Sequence, residues 1–374
     1  MRGFCVLCVA LLIVVPAATS RAGDPTPPPG PITGTMKTLT QVEPRTPLNS
    51  LPGDANTAIL INEPGSYYLT GDIVVTGQKD GIRVSADHVS IDLNGYRLIG
   101  PGNLTSVGIV CNGSRINFTL RNGTLTGWGY ASLNIGGFMR HCLFEDLTLT
   151  NNPAGNLEQN DVDHSIFRNI RVKGSGEVGI AMGDNCVMSN CTIEGCHAGI
   201  SGTFNCVVSD CTVMGATGTG IGLFGGGVIE RCAVRSCPAG LYVGSGGIIR
   251  DCSVTSCAVA IESGGFARIQ DCVIMGSTTV GVRILQRDHV VGVKISNSAI
   301  GIQSTPTTNV RNIIDGNIIT TCPVGVRVLG AGSIITKNLV TESTTNPFDI
   351  APGNTVGTIQ PSPVGAGAWD NIAF

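Results

Sequence analysis

Residues 179–193, GIAMGDNCVMSNCTI, begin a pattern that recurs four more times before residue 275. The later copies read GISGTFNCVVSDCTV, GIGLFGGGVIERCAV, GLYVGSGGIIRDCSV and AIESGGFARIQDCVI, and they begin at Gly199, Gly220, Gly240 and Ala260. The closing cysteines are Cys191, Cys211, Cys232, Cys252 and Cys272. A short, regular period, rich in glycine and β-branched residues and without a helical pattern, is typical of a solenoid of strands.

The repeat can be followed outward from this stretch in both directions. One apolar residue per coil lies in a single predicted column: Ile82, Ile109, Leu133, Leu157, Ile180, Ile200, Ile221, Leu241, Ile261, Val282, Ile302 and Val326. Each coil has room for three short strands, and alternation places Ile200, Cys206, Val208, Cys211 and Val213 inward in the coil at 199–213. Strands that meet their own equivalents one coil later pair in parallel, with right-handed connections. The predicted fold is all-β, a single-stranded right-handed parallel β-helix of about 12 coils of about 20–24 residues.

The flanking segments suggest four regions in the chain. Residues 1–22 have the charge, apolar run and small residues of a secretory signal peptide. Residues 23–50 form a linker rich in Pro and Gly, residues 51–345 the β-helix, and residues 346–374 a C-terminal cap. In the cap we expect the rings of Phe348 and Trp369 to cover the open apolar end, although Trp369 could instead stack on a sugar.

The composition limits the cellular compartments and the classes of binding partner that are expected for this protein. The formal net charge is −3, and removal of Arg2 and Arg21 with the signal peptide makes it −5. No basic stripe is present in the sequence, so no nucleic-acid partner is expected. No segment has the roughly 18 uninterrupted apolar residues of a membrane span. We expect a monomer that is secreted, extracellular or at the cell surface, with the periplasm as the alternative.

The cysteines follow the repeat more closely than any metal-site spacing. Of 15 cysteines, Cys5 and Cys8 belong to the predicted signal peptide, which leaves 13. An odd number in an exported protein means that at least one thiol is not in an intramolecular disulfide. A spacing of one cysteine per coil is unlike the C-x₂-C pattern of metal sites. We therefore interpret the cysteine columns as small buried apolar residues, with a metal or redox device as the alternative.

The G-[IL] and [ND]-C-x-[IV] columns, together with SYYLTGDI and GIRVSADHVSIDLNG at residues 66–73 and 81–95, carry a family resemblance. The chain resembles the right-handed parallel β-helix repeat proteins of the pectate-lyase-like superfold over residues 51–374. The resemblance implies an exported protein, and the enzymes among its members mostly act on polysaccharides along the outer face of one parallel sheet. Their NTD, GHG, RIK and RxPxxR signatures do not occur in this sequence.

Two groups of outward residues are candidate sites. The first is Glu158, Asp161 and Asp163 as ligands for a hard cation such as Ca²⁺, with Asp161, Asp163, His164, Arg168 and Lys173 as candidate catalytic residues of a lyase. The alternative interpretation is a solvated turn with balanced charges, in which case the protein needs no cofactor. The second is Tyr242, Glu262 and Arg283 as a sugar-binding platform, with an ordinary cross-strand ion pair as the alternative.

Three hypotheses about function remain open at this point. The protein could bind a polysaccharide or another extended extracellular ligand without turnover. It could be a polysaccharide lyase or hydrolase, or it could be a structural spacer at the cell surface. An enzyme needs acid, base and charge-stabilising groups that converge on one cleft, whereas a binding protein needs only a platform. We favour the binding protein.

Overall fold

The computed structural model describes residues 44–153, 155–157, 161–305 and 310–374. The predicted signal peptide, most of the predicted linker and Glu158 lie outside the described residues. From Arg45 to Phe374 the chain forms one compact unit. Its strands pair in parallel and form three long sheets, with one first-sheet strand per coil in fourteen coils of the described chain. The predicted fold class is confirmed.

The strands confined to the first sheet are Thr57–Ile61, Asp80–Val84, Val107–Cys111, Ala131–Ile135, Gly155–Leu157, Ala239–Val243, Val259–Ser263, Val280–Ile284, Ile300–Ser304, Val324–Val328 and Asn346–Ile350. Those of the second sheet are Thr46–Pro47, Gly65–Tyr68, Val89–Asp92, Ile166–Arg168, Val187–Ser189, Ile248–Arg250, Arg268–Gln270, His289–Val291, Ile313–Asp315, Ile334–Thr336 and Thr355–Val356. Those of the third sheet are Ile73–Val74, Arg97–Ile99, Thr212–Met214, Ala233–Arg235, Ser253–Thr255, Val273–Met275, Lys294–Ser296, Ile318–Thr320, Leu339–Thr341, Ile359–Gln360 and Asn371–Ala373.

Some strands turn a corner without a break and belong to two or three sheets: Thr119–Thr126, Leu143–Thr150, Arg171–Met182, Thr192–Ser209 and Thr219–Glu230. A small fourth sheet lies between the first and second sheets and contains Arg115–Ile116, Met139–Arg140 and Val162–Asp163. The 3₁₀ helix Leu48–Ser50 precedes the first coil. No helix in the described part of the chain is long and apolar enough to cross a membrane.

The predicted apolar column is in register from end to end of the first sheet. Each of its twelve members pairs with the next, and Ile59 and Phe348 extend the column by one coil at each end. The two extra coils were missed because Ala58 and Pro347 replace the glycine that marks most other coils. Stacking like residues on like residues fills the interior without voids.

The corners explain the [ND]-C signature. Asn190, Asp210 and Asp251 turn the chain between the second and third sheets with φ near +55°, the left-handed conformation that Asn and Asp tolerate better than most residues. The cysteine after each of them is buried. All thirteen cysteines of the described chain are free and buried, as the packing interpretation predicts. Burial raises the pKa of the Cys111 thiol to about 12 and that of Cys196 to about 11, so these thiols stay protonated.

The predicted boundaries of the β-helix shift at both ends. Thr46–Pro47 already pairs with Tyr67 and Tyr68, and Leu48 is fully buried, so ordered structure begins before residue 51. At the other end Asn346–Ile350, Thr355–Val356 and Asn371–Ala373 supply all three strands of a fourteenth coil.

The aromatic residues of the C-terminal segment divide between core and surface. Phe348 packs against the core, as expected. Trp369 is 66% exposed and lies under the Lys337 ammonium, with Nζ 4.3 Å from the ring centroid. The expectation that Trp369 covers the open end of the core is therefore wrong.

Candidate functional site

The outer face of the first sheet brings together Tyr242, Glu262 and Arg283. Backbone pairing places them directly beside one another on three successive coils. The Arg283 guanidinium is 3.5 Å from a Glu262 carboxylate oxygen, and both side chains are about one-third exposed. An ion pair this exposed stabilises the fold by about 0.2–1 kcal/mol. Its structural role is therefore small, and its polar atoms remain accessible to a ligand.

Two exposed phenylalanines extend this platform towards the N-terminal coils. The Phe224 ring is 61% exposed, and its centroid lies 5.5 Å from that of Tyr242 at an angle of 42°. Phe204 is 59% exposed and its ring covers Gly225, where a Cβ atom would lie 2.3 Å from the ring. Three neighbouring coils thus present three aromatic rings to solvent. Large apolar side chains grouped on a surface are typical of interaction sites.

Phe204 and Phe224 were missed in the sequence because the repeat pattern does not mark their positions. Each lies just beyond the first-sheet part of a strand that continues into the second sheet, Thr192–Ser209 and Thr219–Glu230. The available signal was that two of only ten phenylalanines occupy similar places in neighbouring repeats. That coincidence alone does not tell whether a ring points inward or outward.

Asp184 holds the backbone at Phe204. Its Oδ1 accepts hydrogen bonds from the Thr203 hydroxyl and, at 3.1 Å, from the Phe204 N–H. These bonds lower the pKa of the Asp184 carboxyl below its ordinary value of 3.8. Asp163 Oδ1 in turn accepts the Asp184 N–H at 2.8 Å. One predicted site residue, Asp163, therefore supports the platform indirectly.

Tyr242, Glu262 and Arg283 begin a column of outward residues, here called the polar column. It continues from Arg283 to the C-terminal end of the first sheet. Gln303, Arg327 and Asp349 follow Arg283 in register, and Arg327 Nε donates to Asp349 Oδ2 at 2.7 Å. From Tyr242 to Asp349 the column crosses six coils, a length of about 24 Å at the usual spacing between strands. Its shape suits an extended ligand better than a compact one.

A separate groove of about 350 Å³ lies on the same sheet near the N-terminal end, and Asp80, Leu104, Tyr130 and Asn134 are among its lining residues. Asp80 Oδ1 accepts the Val107 N–H at 3.0 Å, and burial raises the pKa of its carboxyl. The carboxylate thus caps the start of the next strand. This groove was not predicted from the sequence, because its lining residues come from three successive coils and lie far apart along the chain.

The candidate lyase residues do not converge. Asp163 is in the fourth sheet, His164 follows it at the corner, Arg168 is in the second sheet and Lys173 is in the third. Arg168 Nε donates to Glu145 at 2.6 Å, and Lys173 Nζ lies 4.0 Å from a Glu194 oxygen. Both cations are therefore paired away from Asp163.

Of the three candidate cation ligands, the structure describes Asp161 and Asp163, which lie close together along the chain. Asp161 is in the turn before the fourth sheet, where its carbonyl accepts the Met139 N–H. Glu158 lies outside the described residues. Across the described ranges, no three His, Cys, Asp or Glu side chains are grouped so that they could hold a metal ion. The Ca²⁺ site stays an untested prediction.

Comparisons with known proteins agree with the fold. The family described as "Right handed beta helix region" matches residues 107–259. The tailspike protein of E. coli bacteriophage HK620 in complex with a pentasaccharide is 11% identical, with a TM-score of 0.54, and the match covers 85% of this chain and 71% of that one. A mutant of that tailspike in complex with a hexasaccharide has the same identity, coverage and TM-score.

The A-module of the Azotobacter vinelandii mannuronan C-5 epimerase AlgE4 is 16% identical, with a TM-score of 0.47, and the match covers 84% of this chain and 88% of that one. Among curated proteins, none matches the sequence. At these identities the likeness concerns the fold alone. This chain has the right-handed parallel β-helix fold.

Proposed function

We propose that this chain is an exported protein that binds an extended polysaccharide along the outer face of its first sheet and does not cleave it. The observation that carries the proposal is the group of three aromatic rings, Phe204 over Gly225 and Phe224 against Tyr242, followed in register by Glu262 and Arg283. Aromatic rings with a polar edge stack on the apolar face of a pyranose, and the ion pair offers both a donor and an acceptor to its hydroxyl groups.

Two further points support the proposal, the first concerning binding and the second the absence of turnover. The tailspike structures with the same fold are complexes with a pentasaccharide and with a hexasaccharide. The acidic and basic candidates for catalysis lie on different sheets, whereas an active site requires acid, base and charge-stabilising groups around one reacting atom. Export is inferred from the signal-like sequence of residues 1–22.

The test is a glycan array probed with the full chain, with and without Ca²⁺, followed by absorbance of unsaturated uronates on every acidic hit. We expect binding to at least one glycan without release of unsaturated product. Product formation that depends on Ca²⁺ would support a lyase instead. If no glycan binds, the binding proposal fails and the structural spacer is left.

Matched variants locate the site. Tyr242→Ala and Phe224→Ala are expected to weaken binding about tenfold each, because Phe224 offers an exposed ring to a ligand and Tyr242 a half-buried one. Tyr96→Ala is the control, since Tyr96 is also exposed but lies at a corner after the second sheet. Equal loss in all three variants would show that binding does not depend on the first-sheet platform.

A further inference from the structure

One corner of the β-helix concentrates basic residues, three arginines and a histidine, that form no ion pair with a carboxylate of the described chain. Arg268 and His289 lie side by side on the second sheet, and Arg287 and Arg311 lie at the corner two residues before His289 and Ile313. We name the group Arg268, Arg287, His289 and Arg311 the arginine corner. Adjacent coils are about 4.8 Å apart, and two residues of a strand span roughly 7 Å, so the four positions form one patch.

The arginine corner differs from the other charged ladders of the described chain. Many arginines elsewhere face a carboxylate on the same or a neighbouring coil, as in Arg97 with Asp72, Arg168 with Glu145, Arg250 with Glu230 and Arg327 with Asp349. Arg268 instead donates to Gln270 Oε1 at 2.7 Å and contacts His289 Nδ1 at 3.2 Å. Burial and the neighbouring Arg268 charge lower the pKa of the His289 ring, so Arg268 contacts a neutral partner here and not a carboxylate.

Two carboxylates near the arginine corner, Asp288 and Asp315, form hydrogen bonds or ion pairs with other groups. Asp288 is buried, and its oxygens accept hydrogen bonds from the Ser263 hydroxyl and from two backbone N–H groups. Asp315 accepts the Thr336 hydroxyl at 2.8 Å and lies 3.7 Å from Lys337 Nζ. Neither carboxylate forms an ion pair with the arginines of the corner, which leaves their guanidinium groups available to an anion from outside.

The backbone at the corner adds a second observation. Arg287 and Arg311 have φ of +55° and +51°, a conformation that costs an arginine more than an asparagine or glycine. Two other cations in this conformation, Arg231 and Lys337, pair with Asp210 and Asp315. Arg287 instead lies over the Phe266 ring, with 5.1 Å from its guanidinium carbon to the centroid. Stacking fixes the guanidinium plane and leaves the N–H groups at its edge free.

We propose that the arginine corner binds an oxyanion carried by a glycan: the carboxylate of a uronic acid, a sulfate ester or a phosphate. Guanidinium groups form paired, charge-assisted hydrogen bonds with all three. The assignment to a glycan rests on the proposed function, because Arg287 closely follows Arg283 of the polar column in the same coil. A chain lying on the first sheet can therefore direct an anionic substituent to the corner.

The test compares sulfated dextran, polygalacturonate, uncharged dextran and duplex DNA as probes of the full chain at several salt concentrations. We expect the two acidic glycans to bind more tightly than uncharged dextran, and their affinity to fall as salt rises. The triple variant Arg268→Gln, Arg287→Gln, Arg311→Gln should weaken acidic-glycan binding about tenfold or more. All three side chains are exposed, so the variant should melt at nearly the same temperature as the unchanged protein.

Arg235→Gln is the matched control, because Arg235 is an exposed arginine of the third sheet that also has no ion pair among the described residues. Its acidic-glycan affinity should change by less than about twofold. An equal loss in Arg235→Gln and the triple variant would overturn the proposal in favour of general charge attraction. Tighter binding of duplex DNA than of either acidic glycan would overturn it in favour of a nucleic-acid surface.

The two sets of variants distinguish a failure of the arginine corner from a failure of the first-sheet platform. If Tyr242→Ala loses binding to the array glycans while the triple variant binds the acidic probes as the unchanged protein does, the platform stands and the arginine corner is refuted. If the triple variant alone loses the acidic probes and Tyr242→Ala changes nothing, the corner stands and the platform is refuted.

Discussion

At the residue scale, the glycine that precedes the first-sheet apolar residue in most coils has no space for a side chain. A Cβ atom on Gly220 would lie 2.5 Å from a Val234 methyl carbon and 2.6 Å from the Gly240 carbonyl oxygen. Comparable clashes occur at Gly199, Gly240, Gly281, Gly301 and Gly325. In these coils the G-[IL] signature is therefore a steric requirement of the corner between the third and first sheets.

Gly220→Ala is expected to destabilise the protein by about 1–3 kcal/mol, because the methyl group overpacks the corner. Gly71→Ala is the control, since nothing lies within 4 Å of a Cβ atom there. Thermal unfolding followed by circular dichroism measures both. If Gly220→Ala melts at the same temperature as Gly71→Ala, the corner is looser than the described packing requires.

Asp184 makes the platform sensitive to acid. The folded pKa of its carboxyl is below the ordinary value of 3.8, because it accepts hydrogen bonds from Thr203 and Phe204. The stability that this group contributes is complete above pH 3.8 and is lost as pH falls through the lower folded value. The stability advantage of the unchanged protein over Asp184→Asn should therefore shrink as pH falls below about 4, which melting curves between about pH 5 and pH 2.5 would detect. An advantage that stays constant over this range would contradict the assignment.

At the element scale, the core ladder between the second and third sheets changes its chemistry along the molecule. Cys191 to Cys272 occupy it in the central coils, and the buried residues Asn317, Asn338 and Asn371 occupy it near the C-terminal end. Asn338 Nδ2 donates to Ile314 O at 2.9 Å and to Asn371 Oδ1 at 3.1 Å, while its Oδ1 accepts from Asn317 Nδ2 at 2.9 Å. The amides join neighbouring coils through short hydrogen bonds, whereas the cysteines offer only long contacts of 3.5–3.7 Å to sulfur, as at Cys232 and Cys252.

Asn338→Leu should cost about 3 kcal/mol, because it leaves several buried polar groups without partners. Cys252→Ala removes only one buried sulfur and should cost about 1 kcal/mol. Hydrogen exchange measures the consequence locally, and we expect faster exchange in the coils around residues 314–372 of Asn338→Leu. Uniform exchange along the whole β-helix would mean that the coils unfold as one unit instead.

At the scale of the whole molecule, a stack of parallel coils ends in an open strand edge that could pair with another chain. Asn346–Ile350 is the last strand of the first sheet, and no described strand pairs with its outer edge. The Asn346 N–H points back to Pro323 O, so the next nitrogen along the strand, that of Pro347, faces the open side. Proline has no N–H to donate there and so opposes edge-to-edge association.

Pro347→Val is expected to increase self-association, because it restores a donor on the open edge and favours extended strand structure. Light scattering after size-exclusion chromatography over a range of protein concentrations measures the change. Pro363→Val, in an exposed bend outside the strands, is the control and should leave the mass unchanged. If both variants stay at the mass of the unchanged protein, Pro347 does not protect the edge.

Much of the fold was predictable because burial imposes the same choice on every coil. The column from Ile82 to Val326 follows from the period of the repeat, since a residue that faces the core must be apolar in each coil. The terminal coils of Ile59 and Phe348 were not predictable from the repeat, because Ala58 and Pro347 break the pattern. The inward cysteines followed from the same logic as the apolar column.

The candidate site was predictable only in part, and the reason is physical. By itself, the sequence determined the period, the inward columns, the parallel register and so the alignment of Tyr242, Glu262 and Arg283 on the first sheet. Only the tertiary structure decided that Phe204 and Phe224 join Tyr242, that Arg168 and Lys173 lie on other sheets than Asp163, and that three arginines meet without a carboxylate. Outward side chains carry no packing constraint that repeats, so their neighbours depend on how each corner turns.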